Sequence, residues 1–302
     1  MLGLGLGIGK TSTTNDVDTW EEVPGRIAHY DFSDASTLFQ NDDGSTAVSS
    51  DNDPIGYAKN LTPGGLGGFI RSYSDAGRPL YKTGGTNSKS YAQFDGSNDC
   101  GLVAGVVAIS EAVWGGISDS IYSNYTLEFE SISLYVVCKQ DVENITSTET
   151  LIKINGQGDA PGIGDNNFLT LSKPSSTDVP SAAFSYGTDP AITTINNASA
   201  WGTEDRLMTV ITANGTNATK LQVDNLTATT GTIAENEPLN MTSTANAGRV
   251  MFSVGAMVYA FLNPNSQNWQ GRVYEILLYN RSLSSAEDTL VKNYINTKYA
   301  LW

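Results

Sequence analysis

The sequence predicts an all-β protein, a two-sheet antiparallel jelly-roll sandwich with one short C-terminal helix and an extended N-terminal arm. From Arg26 onward, short runs of strand character alternate with clusters of Gly, Asn, Asp and Pro, the punctuation of strands and tight turns. The composition, 39% hydrophobic but only 16% charged, leaves a surface that Thr, Ser, Asn and Gly must cover, which suits strands better than exposed helices. Helical periodicity is nearly absent until the last twenty residues. A length of 302 residues admits two domains at about 150 each, but large sandwiches form as one, so an appendage (1–25) and a single jelly roll (26–302) are expected.

The arm is MLGLGLGIGK. Leu2, Leu4, Leu6 and Ile8 alternate with glycines, so an extended chain carries every apolar side chain on one face and bare backbone on the other. It has neither the basic start nor the cleavage site of a secretory signal, and neither the glycine spacing nor the preceding strand of a phosphate loop. Two readings stand: a strand that pairs with another sheet edge or with copies of itself, or a loose tail.

Candidate strands follow at Ile27–Phe32, Tyr91–Phe94, Leu102–Ile109, Leu151–Ile154, Phe168–Leu171, Leu207–Thr212, Lys220–Val223, Val250–Phe261 and Arg272–Tyr279. In Leu127–Lys139, Ile132, Leu134, Val136 and Cys138 fall on one face and Ser131, Ser133, Tyr135 and Lys139 on the other, with a break near Glu130. Ten or more strands imply two sheets. The helix is announced by Ser284-Ser285-Ala286-Glu287, a capping box, followed by a stripe of Leu290, Val291, Tyr294, Ile295 and Lys298 that packing on the sandwich explains.

Charge and rare residues bound the chemistry. With 17 basic against 32 acidic side chains, a net charge of −15, the chain lacks the cationic surface that nucleic acid or anionic lipid requires. No stretch reaches the roughly 18 to 20 apolar residues that cross a bilayer, so membrane insertion is not expected. The single histidine, His29, would have to serve any Ser-His-Asp triad, zinc site or imidazole proton shuttle. Cys100 and Cys138 form no CxxC pair and are either buried free thiols or a disulfide across the sandwich. Asn-x-Ser/Thr sequons, Asn60 and Asn214 among them, arise by chance in so Asn- and Thr-rich a chain.

Two stretches resemble a known family. Tyr30-Asp31-Phe32-Ser33-Asp34 with Ser36-Thr37-Leu38-Phe39, then Tyr91-Ala92-Gln93-Phe94-Asp95-Gly96-Ser97-Asn98-Asp99, resemble the opening of a LamG-like, concanavalin A-like jelly roll. The run from Gly271 through Tyr279-Asn280-Arg281 to Ser284, with Glu287 and Tyr294, resembles its last strand and closing helix. The resemblance spans most of 26–302 and implies the fold, while its members include lectins, glycoside hydrolases, adhesion modules and virion proteins. Joined to a Gly-Leu arm, such a domain is similar to bacteriophage structural proteins that assemble in the host cytoplasm.

Glycoside hydrolysis needs two convergent carboxylates. Glu128 with Glu130, and Glu235 with Glu237, supply same-face pairs without the family's Glu-x-Asp-x-x-Glu spacing, so no catalytic residue is assigned. Asp51, Asp53, Asp95, Asp99 and Asp165 are calcium candidates, though Asx-rich turns form for backbone reasons as well, and no other cofactor is expected. Trp114, Tyr122, Tyr125, Tyr186 and Trp201 lie in loop-like sequence as glycan platforms or core plugs. The resulting expectation is a non-enzymatic virion structural protein, capsid-surface or tail/fibre-associated, bound through its arm to other virion proteins and to copies of itself, whose outward loops either adhere to host glycan or keep the particle soluble. The alternative is a lectin-like carbohydrate-recognition module of a bacterial surface or secreted protein.

Overall fold

The computed structural model describes residues 17–63, 69–72, 77–97, 102–105, 131–143, 145–156, 168–175, 177–185, 192–213, 215–233, 250–259 and 263–302. In chain order the strands are β1 (Arg26–Asp31), β2 (Leu38–Phe39), β3 (Tyr57–Lys59), β4 (Phe69–Ser72), β5 (Leu80–Lys82), β6 (Tyr91–Asp95), β7 (Leu102–Gly105), β8 (Ser133–Gln140), β9 (Glu149–Gly156) and β10 (Phe168–Lys173). They continue as β11 (Ser181–Ser185), β12 (Ile192–Asn196), β13 (Arg206–Ile211), β14 (Gly215–Val223), β15 (Thr229–Ile233), β16 (Val250–Val254), β17 (Met257–Tyr259), β18 (Asn263–Ser266) and β19 (Gln270–Tyr279), before helix α1 (Ser285–Tyr299). The arm, with Leu2, Leu4, Leu6 and Ile8, lies outside the described residues, as do Glu128, Glu130, Glu235 and Glu237.

The described strands build an all-β jelly-roll sandwich. The first sheet runs β15-β14-β13-β8-β19-β6-β5, with β1 also paired to β19, and the second runs β12-β11-β10-β9-β16-β7-β4-β3-β2. Every pairing between described strands of the two sheets is antiparallel. Register places Tyr30, Ile276, Val136, Met208 and Val223 side by side across the first sheet, and Ala28, Leu278, Leu134, Val210 and Leu221 in the next row on the same face. These rows meet Ile152, Ile154, Leu169, Leu171, Phe252 and Val254 of the second sheet in one buried apolar core. Burying a side chain of this kind contributes about 1.5–3 kcal/mol, so this layer supplies most of the drive to fold.

A third layer covers the other face of the first sheet. Tyr135, Val137, Leu207, Leu277 and Tyr279 pack there against Val291, Ile295 and Tyr299 of α1. The face that the alternation in 131–139 assigns to Tyr135 is thus roofed by the helix, which is why both faces of β8 are buried. The capping box forms as expected, with Ser284 as N-cap and Glu287 returning to it.

Two glycines explain where the path departs from the sequence reading. The run Val250–Phe261 is not one strand: Gly255, at φ +83°, stands between β16 and β17, and a Cβ there would collide with the Phe94 ring. At one side of the sandwich β12 and β15 approach each other, and Gly231 leaves the room that Ile195 occupies. Cys138 is a free thiol buried in the core, where desolvation holds its pKa well above the usual thiol value, and Cys100 is outside the described residues.

Candidate functional site

The densest cluster of ionisable groups among the described residues lies between the first sheet and α1. Antiparallel pairing of β1 with β19 sets Asp31 directly opposite Glu275, two like charges that repel across strands. The helix resolves the conflict. Lys298, one turn beyond Tyr294, reaches between them, with Nζ 2.5 Å from Asp31 Oδ2 and 2.8 Å from Glu275 Oε2.

Glu275, 1% exposed, accepts four hydrogen bonds. His29 Nε2 lies 2.7 Å from Oε1 and the Tyr294 hydroxyl donates to the same oxygen at 2.7 Å, while Lys298 and the Tyr299 hydroxyl donate to Oε2, both at 2.8 Å. Asp31 Oδ1 is filled by the Ser33 amide at 2.9 Å and its hydroxyl at 2.6 Å. Burial works to raise the Glu275 pKa, but the His29 hydrogen bond and the Lys298 charge outweigh it and hold the group down at about 2. The Tyr294 and Tyr299 hydroxyls are pushed the other way, first by burial and then by the Glu275 charge, so neither is an activated nucleophile. Trp20, in a short 3-10 turn (Trp20–Glu22), closes the cluster, stacked on Tyr294 at 3.9 Å, edge-on to His29 at 5.4 Å and capped by the Arg26 guanidinium at 4.8 Å.

His29, Asp31 and Glu275 offer ligand atoms within 4.8 Å of one another, the spacing of a cation site. Here the chain supplies that cation, since the Lys298 ammonium sits against both carboxylates and would repel a metal ion. These residues do not fit a resident metal. The sequence reading took Lys298 as the end of a packing stripe and His29 as an isolated group, and missed that they meet at Glu275. The legible signal was Glu275 itself, the one carboxylate in the apolar run 273–279, which demands a buried partner.

The outer face of the second sheet has a different character. Register carries one transverse row across all nine strands through Phe39, Tyr57, Arg71, Val103, Ser253, Lys153, Thr170, Ala183 and Thr194. No acidic residue stands in it. Lys153, Thr170 and Ser253, at its middle, are buried, whereas Phe39 and Tyr57, at one end, are partly exposed. Their rings meet edge to face at 5.4 Å and 88°, and the exposed Lys59 ammonium lies 5.1 Å from the Phe39 ring centre. The loop 40–47 borders the pair, with the Asn41 amide donating to Ser45 and Thr46 hydroxyls at 3.0 Å each. Behind it the Arg78 guanidinium stands 4.0 Å from Asp42. An aromatic edge beside amide, hydroxyl and charged groups can hold a ligand with one apolar and one polar face.

Of the residues proposed from sequence as glycan platforms, Trp114, Tyr122, Tyr125 and Tyr186 lie outside the described residues. Trp201 is corrected: it is fully buried, 5.0 Å from the Trp269 ring, and plugs the end of the core, so it offers no surface to a ligand. Among the calcium candidates, Asp99 and Asp165 are likewise outside the described residues. The other three are already engaged within the chain. Asp53 accepts in its own turn from the Ser49 and Ser50 amides at 2.8 and 2.9 Å, Asp95 from the Ser97 amide at 2.8 Å, and Asp51 from the amide of Thr83, 32 residues away, at 2.8 Å. They do not converge with a third acid among the described residues.

The sequence matches no family model and no curated protein. Similar solved structures include the CBM40 of the Ruminococcus gnavus IT-sialidase bound to α2,3-sialyllactose, 13% identical over 55% of this chain and 83% of that one, with a TM-score of 0.41. The Trypanosoma rangeli sialidase in complex with sialic acid is 14% identical, covers 90% of this chain and 33% of that one, and has a TM-score of 0.47. Mouse laminin α1 domains LG4-5 are 10% identical over 53% of this chain and 38% of that one, with a TM-score of 0.36. These are likenesses of chain path.

Proposed function

We propose that this chain is a non-enzymatic carbohydrate-recognition module that takes glycan on the outer face of its second sheet, against Phe39 and Tyr57. The observation that carries the reading is the partly exposed edge-to-face pair, flanked by the Lys59 ammonium and bordered by the amide and hydroxyls of loop 40–47. A pyranose presents an apolar C–H face and a ring of hydroxyls, and such an edge meets both needs. The non-enzymatic part is supported by the cluster at Glu275, where both carboxylate oxygens already accept two donors each. A module of this kind works at a cell surface or outside the cell. The virion role, the docking arm and self-association find no support among the described residues and are not part of the proposal.

The test is retention of the purified chain in gels containing soluble polysaccharides, beside Tyr57→Ala and Phe39→Ala. The wild type is expected to be slowed by at least one polysaccharide. Each variant should bind about tenfold more weakly, a change of about 1.4 kcal/mol, with its melting temperature nearly unchanged. Retention of Tyr57→Ala equal to wild type, or no retention of the wild type by any member of a broad panel, contradicts the proposal.

A further inference from the structure

The carboxylates of this protein divide by what acid does to them. Among the described residues Glu275 and Glu287 are held down at about 2, and both fasten α1. Glu275 takes the helix's Lys298, Tyr294 and Tyr299, while Glu287 closes the capping box on Ser284 and pairs with Arg281 at 2.5 Å. In the sandwich the buried Glu149 and Asp224 go the other way, since burial raises both above the usual carboxylate value. The lowered groups Asp43, Asp51 and Asp53 lie at the surface.

We infer that the third layer is an acid-opened fastener: when Glu275 takes up a proton, α1 and the Trp20 turn leave the first sheet together while the two-sheet sandwich stays folded. Facing Glu275 are His29 and Asp31 from β1 and Tyr294, Lys298 and Tyr299 from α1, with Trp20 and Arg26 closing the side and Glu21 acting on Tyr294 from the turn. Protonation of Glu275 removes the charge that four donors share and one of the two carboxylates against the Lys298 ammonium, in a mostly buried layer. The sign is fixed by linkage. A carboxyl lowered in the folded state contributes stability that is present above its ordinary value of 4.5 and is lost as pH falls through about 2. A raised one binds its proton more readily when folded, so Glu149 and Asp224 do not weaken the sandwich in acid. Trp20 leaves with the helix because it is stacked on Tyr294.

The experiment is 19F NMR of the full chain labelled with 5-fluorotryptophan, with resonances assigned by single Trp→Phe substitutions and followed from pH 7 to pH 1.5. The Trp20 resonance is expected to move to the free-indole position between pH 4.5 and 2, ahead of the Trp201 and Trp269 resonances inside the sandwich. Concerted movement of all three, or a Trp20 resonance that outlasts the other two, overturns the inference. Glu275→Gln should show the released Trp20 position at pH 7 with Trp269 unchanged. Should that variant fail to fold, Tyr294→Phe removes one donor to Glu275 and must move the Trp20 midpoint to higher pH, and an unmoved midpoint is contrary.

Discussion

Adjacent residues on β19 show the two sides of the first sheet at their most different. Ile276 faces the second sheet, among Tyr30, Val136 and Met208, in a layer held by dispersion and the release of water. Glu275 faces α1, where two carboxylates, an ammonium, an imidazole and two phenols are joined by directional bonds. An apolar layer tolerates changes that keep volume, because many small contacts share the load. An ionic layer does not, since loss of one member leaves its partners buried and uncompensated. The contrast continues across the molecule: the helix side joins an apolar contact to a buried charge cluster, and the second sheet leaves an aromatic edge partly exposed.

The largest expected effect tests the ionic side. Glu275→Ala leaves Lys298 shared with Asp31 alone and strands three other donors, and should cost about 3–5 kcal/mol in urea denaturation. A loss below about 1 kcal/mol would mean that the cluster is an incidental meeting of side chains. On the other side of the strand, Ile276→Val removes one methylene from the core and should cost about 0.5–1.5 kcal/mol, with a value matching Glu275→Ala erasing the contrast. Ser284→Ala deletes the N-cap hydroxyl that accepts from the Glu287 amide, an expected loss of about 1 kcal/mol visible as earlier melting. Smallest of all, Lys59→Gln at the exposed edge should change stability by less than about 0.5 kcal/mol while altering glycan retention, so a large loss of stability would assign Lys59 to the fold.

Much of the sandwich was legible because its long strands are strongly apolar. β8 alternates through Leu134, Val136 and Cys138, β13 and β19 carry short apolar runs, and the capping box at Ser284 places the helix start. The short strands were not, because Leu38–Phe39, Tyr57–Lys59 and Leu80–Lys82 are too brief to show a period, and β12 and β15 carry Thr and Gly where an apolar alternation would show. Both candidate sites inherit that difficulty. His29 and Glu275 are 246 residues apart in sequence and meet only through β1–β19 pairing, while Phe39 and Tyr57 become neighbours only once β2 and β3 are paired. For Trp201 the sequence left platform and core plug open, and only the packing decides, since loop text beside a glycine can still turn an indole into the core.

The most direct measurement of the central claim is amide shift mapping of the 15N-labelled chain during titration with a panel of soluble oligosaccharides. Recognition on the second sheet predicts saturable shifts concentrated at Phe39, Asn41, Tyr57 and Lys59, with the amides of β1, β19 and α1 unmoved. No saturable shift with any member of the panel, or shifts centred on the helix side, would contradict it.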